Sequence, residues 1–238
     1  MRPLSQGELL EVWERGLGQS SLDRTLALLG LACTENAEEF TVGESDRRLL
    51  ELRELMFGPQ VKALAHCPQC DTALELNFNV ADVRVRTEAS ERQLLLSDAG
   101  YEASIRIPTL GDLKTLREAT SDQLEKLLLG RCLLRAGHDG QAVALEELPE
   151  AFIHVVSERM GEADPQAEIC LELECPGCHH RWPGDFDVES FFWAEIQAWA
   201  GRMLNEVHQL AAAYGWSEGE ILALSPMRRH LYLNLVTD

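Results

Sequence analysis

Seven cysteines stand in the chain, and four of them come as two pairs of one pattern. The first pair is Cys67-Pro68-Gln69-Cys70 and the second is Cys175-Pro176-Gly177-Cys178. After each pair come seven residues and then a matching tripeptide, Phe78-Asn79-Val80 in one copy and Phe186-Asp187-Val188 in the other. A Cys-x-x-Cys turn presents two thiolates to one cation, and two such turns complete the tetrahedral shell that structural zinc takes. The spacing therefore predicts that Cys67, Cys70, Cys175 and Cys178 converge on one structural Zn2+ ion, although 104 residues separate the pairs. Four thiolates leave no open position for water, so the implied chemistry is cross-linking rather than catalysis. A redox role fits less well, because neither pair opens a βαβ unit of the thioredoxin type. His66, His179 and His180 flank the knuckles and read as neighbours of the site rather than as ligands. Cys33, Cys132 and Cys170 fall in apolar patterns and read as buried, inert thiols.

The elements that would carry these turns can be read from periodicity. Ser5 and Glu8 have capping-box spacing ahead of a first helix, and two more helices are expected over 22–31 and 44–57, the last stopped by Gly58-Pro59. Strands are expected over 61–65 and 73–80 around the first knuckle, and a hairpin joins 93–96 to 102–107. Helices follow over 110–119, 122–135 and 149–160. A strand over 168–174 leads into the second knuckle, a long helix runs over 190–214, and capping signals at Ser217 and Ser225-Pro226 open the last helices. The expected class is α+β, mainly helical, with a small antiparallel zinc-ribbon-like module built from the two Cys-Pro-x-Cys knuckles. The chain divides into an N-terminal helical segment (1–60), a first knuckle with hairpins (61–108), a middle helical segment (109–163), a second knuckle with strands that packs with the first (164–189), and a C-terminal helical segment (190–238).

Composition narrows the function classes. Forty acidic residues against 21 basic ones give a net charge of −19, which repels phosphate backbones and favours solubility and basic protein partners. There is no leader-like start and no apolar run of about 18 residues, so the expectation is a cytoplasmic protein without a membrane span. Phosphate-binding glycine loops, nucleophile elbows and zinc-protease motifs are missing from the sequence, and Asp112 and Glu118 read as helix-surface acids. The reading is a non-enzyme. Two regions are candidate partner-binding surfaces: the aromatic-rich helix with Trp193 and Trp199, and the C-terminal block with Trp216, Arg228, Arg229 and Tyr232. Core packing is the stronger reading of the first, and capping with salt bridges explains the second equally well.

The two knuckles, the run Phe191-Phe192-Trp193-x-Glu195-Ile196 and the block Trp216-x-x-x-Glu220-Ile221-Leu222-x-Leu224-Ser225-Pro226-x-Arg228-Arg229-x-x-Tyr232 together resemble the T-even phage baseplate hub assembly family. Relatives of that kind occur in contractile injection systems. The resemblance covers most of the chain and is closest from Cys175 onward. It implies a chaperone or built-in component of a baseplate hub, free in the cytoplasm or incorporated in the particle. Its partners would be baseplate, hub or spike proteins, and no enzymatic activity is carried over. The rival reading is a zinc-ribbon nucleic-acid-binding regulator, for which the knuckle tips offer little beyond His66, His179, His180 and Arg181. A zinc hydrolase is a third reading, opposed by the closed thiolate set.

Overall fold

The computed structural model describes residues 1–85 and 92–237, apart from the side chains of residues 121, 122 and 237. Helices α1 (Gln6–Gly16), α2 (Ser21–Ala32) and α3 (Val42–Phe57) lead into strands β1 (Gln60–His66) and β2 (Ala73–Asn79) and a single turn of helix, α4 (Val80–Val83). The centre holds β3 (Gln93–Asp98), β4 (Tyr101–Arg106), α5 (Leu110–Thr115), α6 (Ser121–Cys132), β5 (Leu133–His138), β6 (Gln141–Ala142) and α7 (Glu150–Ala163). The chain closes with β7 (Cys170–Glu174), β8 (Arg181–Asp185), α8 (Val188–Tyr214), α9 (Glu218–Leu222) and α10 (Pro226–Thr237). The fold is α+β, mostly helical with small antiparallel sheets.

The first three helices begin on hydroxyl caps, as their sequences require. Ser5 and Glu8 form the capping box, with the Ser5 N–H donating to the Glu8 carboxylate at 2.8 Å. Ser20 and Thr41 accept from the backbone of Asp23 and Glu44. The main core forms where α1, α2 and α3 meet α8, through Leu9, Leu28, Leu29, Leu49, Leu52, Phe192 and Ile196. Each such side chain removed from water contributes about 1.5–3 kcal/mol. Two close approaches fix the geometry. A Cβ on Gly16 would fall 2.3 Å from the Trp193 ring, and one on Gly43 would fall 2.4 Å from the Asp164 carboxylate. That carboxylate accepts from Thr41 Oγ1 at 2.9 Å and from the Gly43 N–H at 2.8 Å, so a residue after α7 caps α3. Buried Arg53 gives a bidentate pair to Glu195 at 2.8 and 2.6 Å and so locks α3 to α8.

A second core lies under the sheet β3-β4-β5-β6, where Ile105, Ala136, Phe152 and Val156 pack with α6 and α7. Here the structure departs from the periodic reading. The helix expected to run to Arg135 stops at Cys132, and β5 follows at once, paired with β4. Backbone pairing with β4 outweighs the local helical pattern of Leu133 and Leu134. Asp139-Gly140, at φ +49° and +81°, then closes a two-residue hairpin into β6. Helix α5 is also shorter than expected, ending at Thr115 rather than Ala119. Asp112 is not a surface acid: it is buried, and its carboxylate accepts from Arg106 at 2.6 and 2.8 Å and from Arg131 at 3.1 Å. That network pins α5 and the end of α6 to the last residue of β4.

Candidate metal centre

Each knuckle sits at the tip of a two-stranded hairpin, β1–β2 or β7–β8. The two tips repeat the same pair of backbone hydrogen bonds. Cys67 N–H donates to the Thr72 carbonyl at 3.0 Å and Asp71 N–H to the Cys67 carbonyl at 2.9 Å; Cys175 N–H and His179 N–H make the same bonds to His180 and Cys175, both at 2.9 Å. Asp71 and His179 both hold φ +59°, a left-handed conformation that few non-glycine residues adopt. At the other end of the repeat, Asn79 and Asp187 occupy matching N-cap positions of α4 and α8, and Val80 and Val188 are buried in the main core. Phe78 and Phe186 meet edge to face at 5.3 Å between ring centroids. Between them and the tips, Leu74, Leu76 and Trp182 pack around Cys67 and Cys175. The Phe positions that repeat after each pair are thus the hinge points where two facing hairpins leave the helical core.

The tips face each other. Cys67 Sγ lies 3.6 Å from Cys178 Sγ, Cys70 Sγ lies 3.5 Å from Cys175 Sγ, and all four sulfurs fall within 4.8 Å of one another. Cys67 and Cys175 are buried, while Cys70 and Cys178 lie toward solvent. A tetrahedron of thiolates about 2.3 Å from a central zinc has edges of about 3.8 Å, so these spacings fit one ion. Protonation points the same way. The Thr72 hydroxyl, its backbone N–H and the neighbouring sulfurs hold the Cys70 thiol down at about 6. At Cys178 the His180 N–H favours the thiolate, but desolvation and the sulfurs of Cys70, Cys67 and Cys175 outweigh it and push the thiol up to about 12. Four thiols this close do not all ionise without a countercharge, which a divalent cation supplies. The cluster can hold a metal ion.

None of the flanking histidines joins the set. His179 turns its Nδ1 to Glu174 at 3.4 Å, and His180 stacks on Trp182 with 5.8 Å between rings. Among the remaining thiols, Cys132 is buried, with desolvation raising it to about 11, and Cys33 is half-buried beside Arg48. Cys170 differs from the expectation: it is exposed on β7, opposite Asp185. Strand parity places it on the outward face, away from Leu171 and Leu173.

A profile of the family described as T4 bacteriophage base plate protein matches residues 19–193, about three quarters of the chain and both knuckles. The chain belongs to that family. It therefore has a structural base plate role, and its contacts are with other base plate components. No curated protein and no solved structure matches the chain. The match ends at Trp193, so the C-terminal block that contributed to the resemblance lies beyond it. Among the described residues no helix is long and apolar enough to cross a membrane.

The candidate contact residues scatter. Trp193 is buried, its ring filling the space above Gly16 with the Arg24 guanidinium 4.5 Å from its centre, so it is a core residue rather than a docking one. Arg229 is also buried, its Nε donating to Glu206 and its Nη1 to Gln6. Trp199 is half-buried between the main core and the small cluster of Leu10, Ala200 and Met203. Trp216 stacks on Tyr214 at 4.7 Å and meets Tyr232 edge-on at 4.9 Å, a triad that ties α10 to α8. Arg228 is exposed. The sequence reading passed over Met227, Leu231 and Leu235, which expose an apolar stripe along α10; their four-residue spacing is the available signal.

Proposed function

We propose that this chain is a non-enzymatic assembly factor or structural component of the baseplate hub of a phage-tail-like contractile injection system. Membership in the base plate family over residues 19–193 carries this reading. Within it, Cys67, Cys70, Cys175 and Cys178 hold one structural zinc ion that fixes the two hairpins against each other. Zinc fits the four-sulfur donor set and its tetrahedral spacing better than the harder, oxygen-seeking cations do. The hairpins β1–β2 and β7–β8 then act as one cross-linked arm, based in a helical body contributed by both ends of the chain. The partners are hub or spike proteins, engaged through Trp199, Trp216, Arg228, Tyr232 and the outer stripe of α10. The protein works in the cytoplasm, where the particle is built, or within the finished particle.

The test is co-purification from cells that make the particle, with mass spectrometry of the captured proteins and metal analysis of the same sample. Hub or spike proteins and about one zinc per chain are expected. Capture of nucleic acid in place of particle proteins would sink the assembly reading, and a metal-free, fully assembled chain would sink the zinc.

A further inference from the structure

We propose that a cavity of about 410 Å³ between the start of α1, the end of α3, the middle of α8 and the start of α10 binds the C-terminal carboxylate of a partner protein, together with that partner's last apolar side chain. Trp199, Met203, Met56 and Phe57 form apolar walls. Arg229 lines the buried end and Arg202 the solvent side. Apolar walls with a few fixed polar groups are the usual construction of a ligand pocket, and this one falls at the small end of the usual range of about 300–1,000 Å³.

Charge selects the occupant. The chain carries −19 overall, yet this cavity brings together two guanidinium groups and one carboxylate, Glu206. Glu206 is taken by Arg229 Nε, and Gln6 takes Nη1. Among the described residues Arg229 Nη2 has no hydrogen-bond partner, and Arg202 has no ion pair. One positive charge is left over beside an apolar wall, which matches one carboxylate attached to one bulky apolar group. Guanidinium groups suit a carboxylate through paired N–H donors. A chain terminus places carboxylate and side chain on the same residue, and so fits a cavity too small for a long segment passing through. Capture of a free terminus is a known way of binding peptides. The partner's nature as a particle protein rests on the base plate reading, but the cavity's chemistry does not.

The test uses the full chain with isotope-labelled methionine methyls and three probes. These are N-acetyl-Leu-Phe with a free carboxylate, the same dipeptide as its C-terminal amide, and N-acetyl-Asp-Phe-amide, whose carboxylate is on a side chain. The free acid is expected to shift the Met56 and Met203 resonances saturably while leaving Met160, in the second core, unmoved. The simple amide is expected to bind about tenfold more weakly or worse, the cost of losing a charge-assisted pair. Exposed Arg202→Gln should weaken the acid and leave the amide unchanged. Equal binding of acid and amide, or no shift at millimolar probe, would overturn the proposal. Equal binding of the aspartyl amide would overturn the chain terminus as the source. None of these outcomes touches family membership or the metal centre, because the experiment needs neither particle nor partner.

Discussion

The helical body and the paired-hairpin arm are held together by different physics. The body buries a continuous set of large apolar side chains from four helices, with Leu9, Leu29, Leu49, Leu52 and Ile196 fully out of water. The arm's own cluster has three buried residues, Cys67, Leu74 and Cys175, and two of them are thiols. A two-stranded hairpin is at best marginal alone in water, and so small a cluster does not secure two of them. The arm's base is safe, since Val61, Val80 and Val188 sit in the body's core. Its tip is where hydrophobic burial gives out and four sulfurs take over. A site that can hold a metal ion is thus placed where the chain lacks apolar material, between segments far apart in sequence.

The largest expected effect is on the arm. Removing metal with a chelator, or changing Cys175→Ser, should reduce bound zinc from about one per chain to none and speed amide exchange in β1, β2, β7 and β8 by about a hundredfold or more. Structural zinc contributes on the order of 10 kcal/mol in small zinc-dependent folds, so even a fraction of that is visible as local opening. Amides of α3 and α8 should stay protected. If the parent binds no metal and the variant's hairpins exchange as slowly as its helices, the contrast between arm and body fails.

The body should respond in the opposite manner. Phe192 is 1 % exposed and meets Phe57 edge to face at 5.9 Å. Phe192→Ala should cost about 3–5 kcal/mol of global stability, measured by denaturant unfolding, while bound metal remains unchanged. Loss of metal in this variant would show that the two regions are not separable, and would merge them into one cooperative unit.

The same division explains what was legible in the sequence. The arm's design is local: two short motifs at a repeated interval name the four cysteines that cluster, whereas the contact between the Phe that follows each appears only in the structure. The helices were legible from caps at Ser5 and Ser217 and from apolar periodicity, while the Asp187 cap, which starts α8 two residues earlier than expected, was not. Pairing between distant segments was not. Leu133 and Leu134 suit a helix and become strand because β4 offers an unpaired edge; the Asp139-Gly140 turn was the one local hint. Strand β8 contains Pro183 and Gly184, poor strand formers tolerated on the edge of a two-stranded sheet. Asp112, Trp193 and Arg229 looked available because their burial depends on Arg106, Gly16 and Gln6, none of which a local window ties to them.

The smallest effect concerns the side of the body nearest the second hairpin. Asp46 on α3 is surrounded by acids: Asp187 at the start of α8, Asp164 after α7 and Glu189 within α8, with Arg24 of α2 answering only Glu189, at 4.0 Å. Burial first, and then Asp187, Asp164 and Glu189, push the Asp46 carboxyl up to about 7. Burial also raises Glu189, with Arg24 opposing it. The sign follows from linkage. An acid whose folded pKa exceeds its unfolded one binds more protons when folded, so its contribution is fully present below about pH 4 and is lost as pH rises through 7. Asp46→Asn removes that loss. Near pH 4 the variant should differ little from the parent; the full shift would give about 4 kcal/mol at pH 8, but Asp46 is only half-buried and solvent screens it, so the variant should be the more stable there by about 1–2 kcal/mol, read from urea unfolding at each pH. Bound metal should be the same in both, since the change lies in the body. Stability profiles that run parallel from pH 4 to 8 would show that the acids around Asp46 are better solvated than their packing implies, and that this corner of the body does not resist ionisation.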